Sequence, residues 1–269
     1  MRLTLAIGFV IHSLLLFVSA HGRITEITTS DGTAYSGWDP ELTLSSTPIP
    51  PLVAWHAANL GNIYVPPSRF NTSDIACHFN AMPGALHVNT TAGDTLKLQW
   101  NEWPLSHVGP VMTYLAACDG SCTDAKKETL KWVKIDELGW LNSTGSEELD
   151  LGGTWATNVL IANDNRWVVQ VPEVLAAGNY VLRHELIALH VADKLDGAQA
   201  YPQCVNLRVA KGAGKVEEEL EDGVLATELY GMRDKGILVD VHKNIAGYEI
   251  PGPKVWGGAT NVRQPNQRR

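Results

Sequence analysis

Apolar and polar residues in this chain alternate over short stretches far more often than they recur at helical spacing. Thr95-Leu-Lys-Leu-Gln-Trp100 puts Leu96, Leu98 and Trp100 on one side and Thr95, Lys97 and Gln99 on the other. That period-two pattern is the mark of a strand with one buried face. Cys204-Val-Asn-Leu-Arg-Val209 repeats it, and Arg166-Trp-Val-Val-Gln-Val171 is a third candidate. Gly178 to His190 opens on a turn signal and continues as a long, apolar-rich strand. Gly, Pro, Asn and Asp clusters separate these runs, and no convincing long amphipathic helix interrupts them. The charged stretch 215–222 reads as a helical turn or a loop. Many short strands with turns between them predict an all-β fold. The expected form is an antiparallel, immunoglobulin-like or fibronectin-like β-sandwich with short helical turns. Residues 30–75 and 100–165 are expected to be long loops on it, a length uncommon without a function.

The first twenty residues break the pattern. Met1–Ala20 has an early positive charge at Arg2, an apolar stretch from Leu14 to Val18 and a small-residue end, Val18-Ser-Ala20. This is the signature of a secretory signal peptide, so the chain is expected to be secreted and extracellular. Cleavage after Ala20 leaves 249 residues and, with Arg2 gone, moves the formal net charge from −8 to −9. One large domain is expected over residues 21–256, followed by a polar, disordered tail at 257–269. An acidic chain is a poor partner for nucleic acid. No second apolar run is long enough to span a membrane.

Four cysteines suit an oxidising compartment. Cys118 and Cys122 are close enough to close a local loop, leaving Cys77 and Cys204 to tie the first half to a late strand. A metal site at Cys118-x-x-x-Cys122 is the competing reading. Sequons at Asn71, Asn89 and Asn142 are candidate glycosylation sites.

Cleavage also makes His21 the first residue. An N-terminal histidine offers an α-amine, with a reference pKa of about 8, and an imidazole that can chelate one metal ion. His107 lies in Asn101-Glu-Trp-Pro-Leu-Ser-His-Val-Gly-Pro110, a loop shaped by Pro104, Gly109 and Pro110 directly after the 95–100 strand. With the His21 amine and imidazole it would complete a planar, all-nitrogen set, which suits Cu(II). If 199–204 is a strand, Gln199 and Tyr201 share a face. The tyrosine hydroxyl can then lie axial to the metal, with Gln199 and His190 at the open coordination position; a core tyrosine with a satisfied hydroxyl fits the same spacing.

These segments carry a resemblance. The His21-Gly22 start, W-P-L-S-H-V-G-P (103–110), L-R-H-E-L-I-A-L-H (182–190), G-A-Q-A-Y-P-Q-C (197–204) and Y-E-I-P-G-P (248–253) occur in order across His21 to Trp256. Together they resemble the fungal lytic polysaccharide monooxygenases of auxiliary-activity family nine. The resemblance implies one copper ion per chain in a histidine brace. His21 and His107 would be its ligands, Tyr201 the axial group, and His190 and Gln199 the pair that positions the oxygen species. It also implies the disulfides Cys77–Cys204 and Cys118–Cys122.

The implied reaction is hydroxylation at carbon 1 or carbon 4 of a β-1,4-glucan, cellulose or a hemicellulose. It draws on dioxygen or hydrogen peroxide and on an external electron donor such as ascorbate or a secreted dehydrogenase, and the enzyme is expected to be a monomer. No paired acid and base of a hydrolase is visible, and Glu185 is not read as a general acid. A flat substrate calls for exposed aromatics, for which Tyr248 and Trp38 are the candidates, core packing being the alternative for each. His56, His78, His87, His184 and His242 match no ligand position. A secreted copper-binding cell-wall protein without oxidising activity is the competing function, though it would typically lack the His190–Gln199 pair.

Overall fold

The computed structural model describes residues 22–43, 48–61, 63–144, 151–214 and 216–267. The leader, His21, Lys215 and the last two residues lie outside them. Four strands form one sheet in the order β2 (Ala34–Ser36), β1 (Ile24–Thr29), β4 (Thr95–Trp100), β9 (Arg166–Gln170). Six form the facing sheet: β12 (Val224–Leu225), β6 (Lys131–Leu138), β5 (Val111–Ala117), β10 (Gly178–Ala188), β11 (Gln199–Ala210) and β3 (Val88–Thr91). Among the strand pairs of the described residues, only β11–β3 is parallel. A small ribbon, β7 (Trp140–Asn142) with β8 (Thr154–Trp155), and three short helices complete the frame: α1 (Pro40–Thr43), α2 (Asp74–Cys77) and α3 (Ala156–Ala162). This is the antiparallel sandwich expected from the alternation.

The inner faces meet around aromatic residues. Trp100 and Trp167, from the smaller sheet, lie 5.7 Å and 6.3 Å from the His184 ring of β10. His184 is fully buried, within 3.0 Å of Thr113 Oγ1, and burial pushes its pKa down to about 3. It is a neutral core residue. Trp167 Nε1 donates across the sandwich to Asp136 Oδ2 at 3.0 Å.

Burial raises the Asp136 carboxyl to about 6. A folded-state value above the unfolded one means stability is fullest below about pH 4 and falls as pH rises through 6. A displacement of that size costs about 3 kcal/mol at pH 7. Asp136→Asn keeps an acceptor for Trp167 and removes the cost. We expect its melting temperature to exceed wild type at pH 7 and to lose the wild-type decline between pH 4 and 6, as thermal scans across pH would record.

Two long strands, at 111–117 and 131–138, lie where a loop was expected, as do the short β2, β7 and β8 and helix α3. β5 is buried on both faces, so its sequence, VMTYLAA, does not alternate. β6 buries a charged residue on each face, Asp136 inward against Trp167 and Lys134 outward against Pro251 O, a bulge between them breaking the alternation. On the outer face of this sheet Arg183 and Glu185 are fully buried and paired at 2.6 Å. The segment 216–222 is neither strand nor helix; Glu218 bridges Leu175 and accepts from Ala176 N.

The C-terminal expectation also needs correcting. Residues 257–267 do not trail away. Gln264 is 3% exposed; its Oε1 accepts from Val168 N (2.9 Å) and its Nε2 donates to Val168 O (2.8 Å). Asn266 Nδ2 donates to Ala162 O. Polar composition suggested disorder, but here the polar groups answer open backbone positions on β9 and at the end of α3.

Both disulfides form as expected, Cys77–Cys204 and Cys118–Cys122. The first fastens α2 onto β11. Of the sequon residues, Asn71 and Asn89 are exposed, and Asn142 is half-buried with its Oδ1 accepting from Thr144 N.

Candidate metal centre

The loop after β4 delivers His107 to one end of the sandwich. His107 N donates to Pro104 O (2.9 Å), closing a turn. The loop is then stitched down: Leu189 N donates to Val108 O, Ile187 N to Pro110 O, and Gly109 N to Thr157 Oγ1. Gly109 allows this approach, because a Cβ there would fall 1.9 Å from Ile187 O. The result is that the rings of His107 and His190 lie 4.0 Å apart, tilted by 31°.

Around them the packing is aromatic. Ser106 Oγ lies 3.1 Å from His107 Nδ1. Trp103 meets the His107 ring edge-on and donates its Nε1–H to His107 O at 2.9 Å. Its indole also packs edge-on against Tyr201, 5.1 Å away. Tyr201 and Gln199 lie two apart on β11, share a face, and meet: the phenol donates to Gln199 Oε1 at 2.7 Å. Burial, with Tyr64 adding to it, holds the Tyr201 pKa well above its ordinary value, so the hydroxyl stays protonated. His107 and Gln199 are each 8% exposed and Tyr201 is 1% exposed.

The structure therefore gathers His107, His190, Tyr201 and Gln199 around Trp103. His21 lies outside the described residues, but Gly22 does not. Gly22 is buried so tightly that a Cβ would stand 2.7 Å from Trp103 and 2.9 Å from Trp100. Next along, Arg23 N donates to Asn101 Oδ1 (2.7 Å), Asn101 N returns a bond to Arg23 O, and the Arg23 guanidinium pairs with Asp39.

The substrate aromatics fare differently. Trp38 is 4% exposed; its Nε1–H goes to Ala57 O and Asn59 Oδ1, and one face is covered by His56 at 4.7 Å. It is a core residue and is not available for stacking on a polysaccharide. Tyr248 is half-buried. Its hydroxyl is inside, donating to Gly236 O (2.7 Å), and its ring meets Trp155 edge-on. Ser106, Trp103 and Gly22 were not singled out from sequence. Their adjacency to His107 and to the new N-terminus was the available signal.

Among the described residues, no three His, Cys, Asp or Glu side chains gather to hold a metal. What is present is imidazole nitrogen beside a neutral phenol. That donor chemistry fits copper better than a hard cation that seeks carboxylates, and it is incomplete without further nitrogen from the chain start.

Comparison with known proteins identifies the class to which this sandwich and its cluster belong. The model of Auxiliary Activity family 9 (formerly GH61) matches residues 21–248. Lytic polysaccharide monooxygenase I of Botryotinia fuckeliana is 43% identical over 253 residues, 94% of this chain and 90% of that protein. Lytic polysaccharide monooxygenase F of Malbranchea cinnamomea is 43% identical over 91% of this chain and 95% of its own length. Among solved structures, the extended catalytic domain of H. jecorina LPMO9A superposes with a TM-score of 0.83 at 42% identity, covering 92% of this chain and 96% of that one. The chain belongs to Auxiliary Activity family 9 and is an oxidoreductase of the lytic polysaccharide monooxygenase class.

Proposed function

We propose that the mature protein is a secreted, copper-dependent enzyme that hydroxylates carbon 1 or carbon 4 of a β-1,4-glucan. The observation that carries this reading is the position of Gly22. A residue bonded directly to Gly22 starts about 3.8 Å away at its Cα. Gly22 is packed on the indole that donates to His107 O. Cleavage after Ala20 would bring the His21 amine and imidazole within reach of His107.

In this arrangement His21 and His107 would hold the metal, and Ser106, beside Nδ1 of His107, would leave Nε2 as the donor. Copper so bound supplies the one-electron chemistry that dioxygen or peroxide needs to attack a strong C–H bond. Tyr201, protonated, would stand beside the metal without adding charge. Gln199 accepts the hydrogen bond of the tyrosine hydroxyl and would leave its amide N–H free to donate to a bound oxidant. His190, stacked on His107, holds or moves a proton there. Trp100 and Trp103 close the core side of the site to water. The glucan supplies the C–H bond, and an external reductant supplies electrons where dioxygen is the oxidant.

The test uses protein correctly processed at His21. Calorimetric titration should give one tight copper site, and His107→Ala should weaken it beyond the roughly 10–100-fold that changes around a metal's ligands cause. Mass spectrometry of products from cellulose should show aldonic acids or ketoaldoses, dependent on reductant. Correctly processed protein that binds no copper would sink the reading.

A further inference from the structure

The turn that carries His190 follows β10 and is held from two directions. On one side Leu189 N donates to Val108 O at 2.8 Å, tying the turn to the loop of His107. On the other side the C-terminal segment reaches in. Val239 N donates to Ala192 O at 2.9 Å. Between these anchors, His242 Nε2 lies 2.8 Å from His190 O. A carbonyl oxygen only accepts, so His242 Nε2 carries the hydrogen.

His242 is exposed, yet its own backbone is fixed. Its N–H donates to Asp240 Oδ1 at 3.1 Å, and Asp240 pairs with Lys243 Nζ at 2.7 Å. The backbone bonds secure residues 189 and 192. The carbonyl of residue 190 itself is held by a side chain, that of His242. The carbonyl carbon is bonded to the His190 Cα, so a displacement of that peptide carries the Cα, and with it the ring that stands 4.0 Å from His107.

We infer that His242 is a positioning residue for the oxidation: through the His190 carbonyl it sets where the His190 imidazole stands beside the metal ligand. It touches neither metal nor substrate in this role. The inference rests on the proposed part of His190. It goes beyond it by assigning a function to an exposed histidine about fifty residues further along the chain. Misplacing a reacting group by about 1 Å can cost on the order of 100-fold in rate, so an unheld carbonyl should matter more than its exposure suggests.

Two variants of the full mature protein test this, His242→Ala and His242→Gln, the second keeping an N–H donor on a chain of similar reach. The first readout needs no metal. Ring carbon–proton NMR resonances of His190 in copper-free protein should shift in His242→Ala and return toward wild type in His242→Gln. With copper bound, His242→Ala should keep its affinity, change its Cu(II) electron paramagnetic spectrum, and lose about tenfold in turnover at saturating glucan. His242→Gln should recover most of that turnover. His190 resonances unchanged in His242→Ala would overturn the inference, as would equal loss in both variants. If wild-type protein bound no copper, the functional reading would fail, while the copper-free resonances would still decide the role of His242.

Discussion

Gly22→Ala should cripple copper binding while leaving the protein folded. The added methyl would lie 2.7 Å from Trp103 and 2.9 Å from Trp100, closer than carbon atoms approach. Neither ring can yield. Trp103 is 2% and Trp100 1% exposed, and they pack edge-on against each other at 6.0 Å. Overpacking of this kind costs about 1–3 kcal/mol, a fall of roughly 2–12 °C in melting temperature for a domain of this size. The cheapest relief is for the chain start to lift, because one end of it is free once the leader is removed. His21 would lift with it, away from His107. We therefore expect copper affinity to fall by about 10–100-fold, the range seen when a metal's supports are disturbed. Gly247→Ala is the control: a Cβ there meets nothing within 4 Å. Calorimetric copper titration beside thermal melts separates the two effects. Unchanged affinity in Gly22→Ala would show that the chain start does not depend on this contact.

The second large effect is on stability. Glu185→Ala should destabilise the protein by about 3–5 kcal/mol, the cost of leaving a buried charge without its partner. Glu185 Oε1 accepts from Arg183 Nη2 at 2.6 Å, and Oε2 from the Tyr230 hydroxyl at 2.6 Å. Burial opposes the charge on Arg183, but Glu185, Tyr230 and Tyr114 outweigh it and the guanidinium stays charged. Its Nε donates to Ile75 O and Ala76 O and its Nη2 also to Ile75 O, so it cannot swing out to solvent without unfastening α2. Chemical denaturation of the two proteins measures the difference. Replacing both members with apolar residues of matching volume should cost far less than the single change, since the penalty lies in the unpaired charge.

This pair also shows how far the sequence could be read. Leu182-Arg-His-Glu-Leu-Ile-Ala-Leu-His190 was legible as a strand because its apolar residues are dense. Its layout was not legible, because Arg183 and Glu185 are buried outward against α2 and Tyr230, and His184 inward between two tryptophans. β4 showed itself to the residue, since one face meets the core and the other meets water. β5 and β6 were hidden for the opposite reason: covered faces erase the alternation. The residues proposed for the site came from a family resemblance carried by five motifs in order; strand periodicity by itself put only Gln199 and Tyr201 on one face. Trp38 misled because exposure depends on what folds over a residue. His56, Ala57 and Asn59 cover it from a stretch that sequence presents only as loop.

The carboxamide of Gln264 has a consequence for how the molecules behave in company. It meets both the N–H and the C=O of Val168, as a neighbouring strand would. A strand laid there would present its own open row in turn and invite another. A side chain has no second row, so pairing stops with it. At the opposite margin of the same sheet β2 is three residues long, too short to template much. A protein held at high local concentration is thereby kept from seeding a polymer of its own.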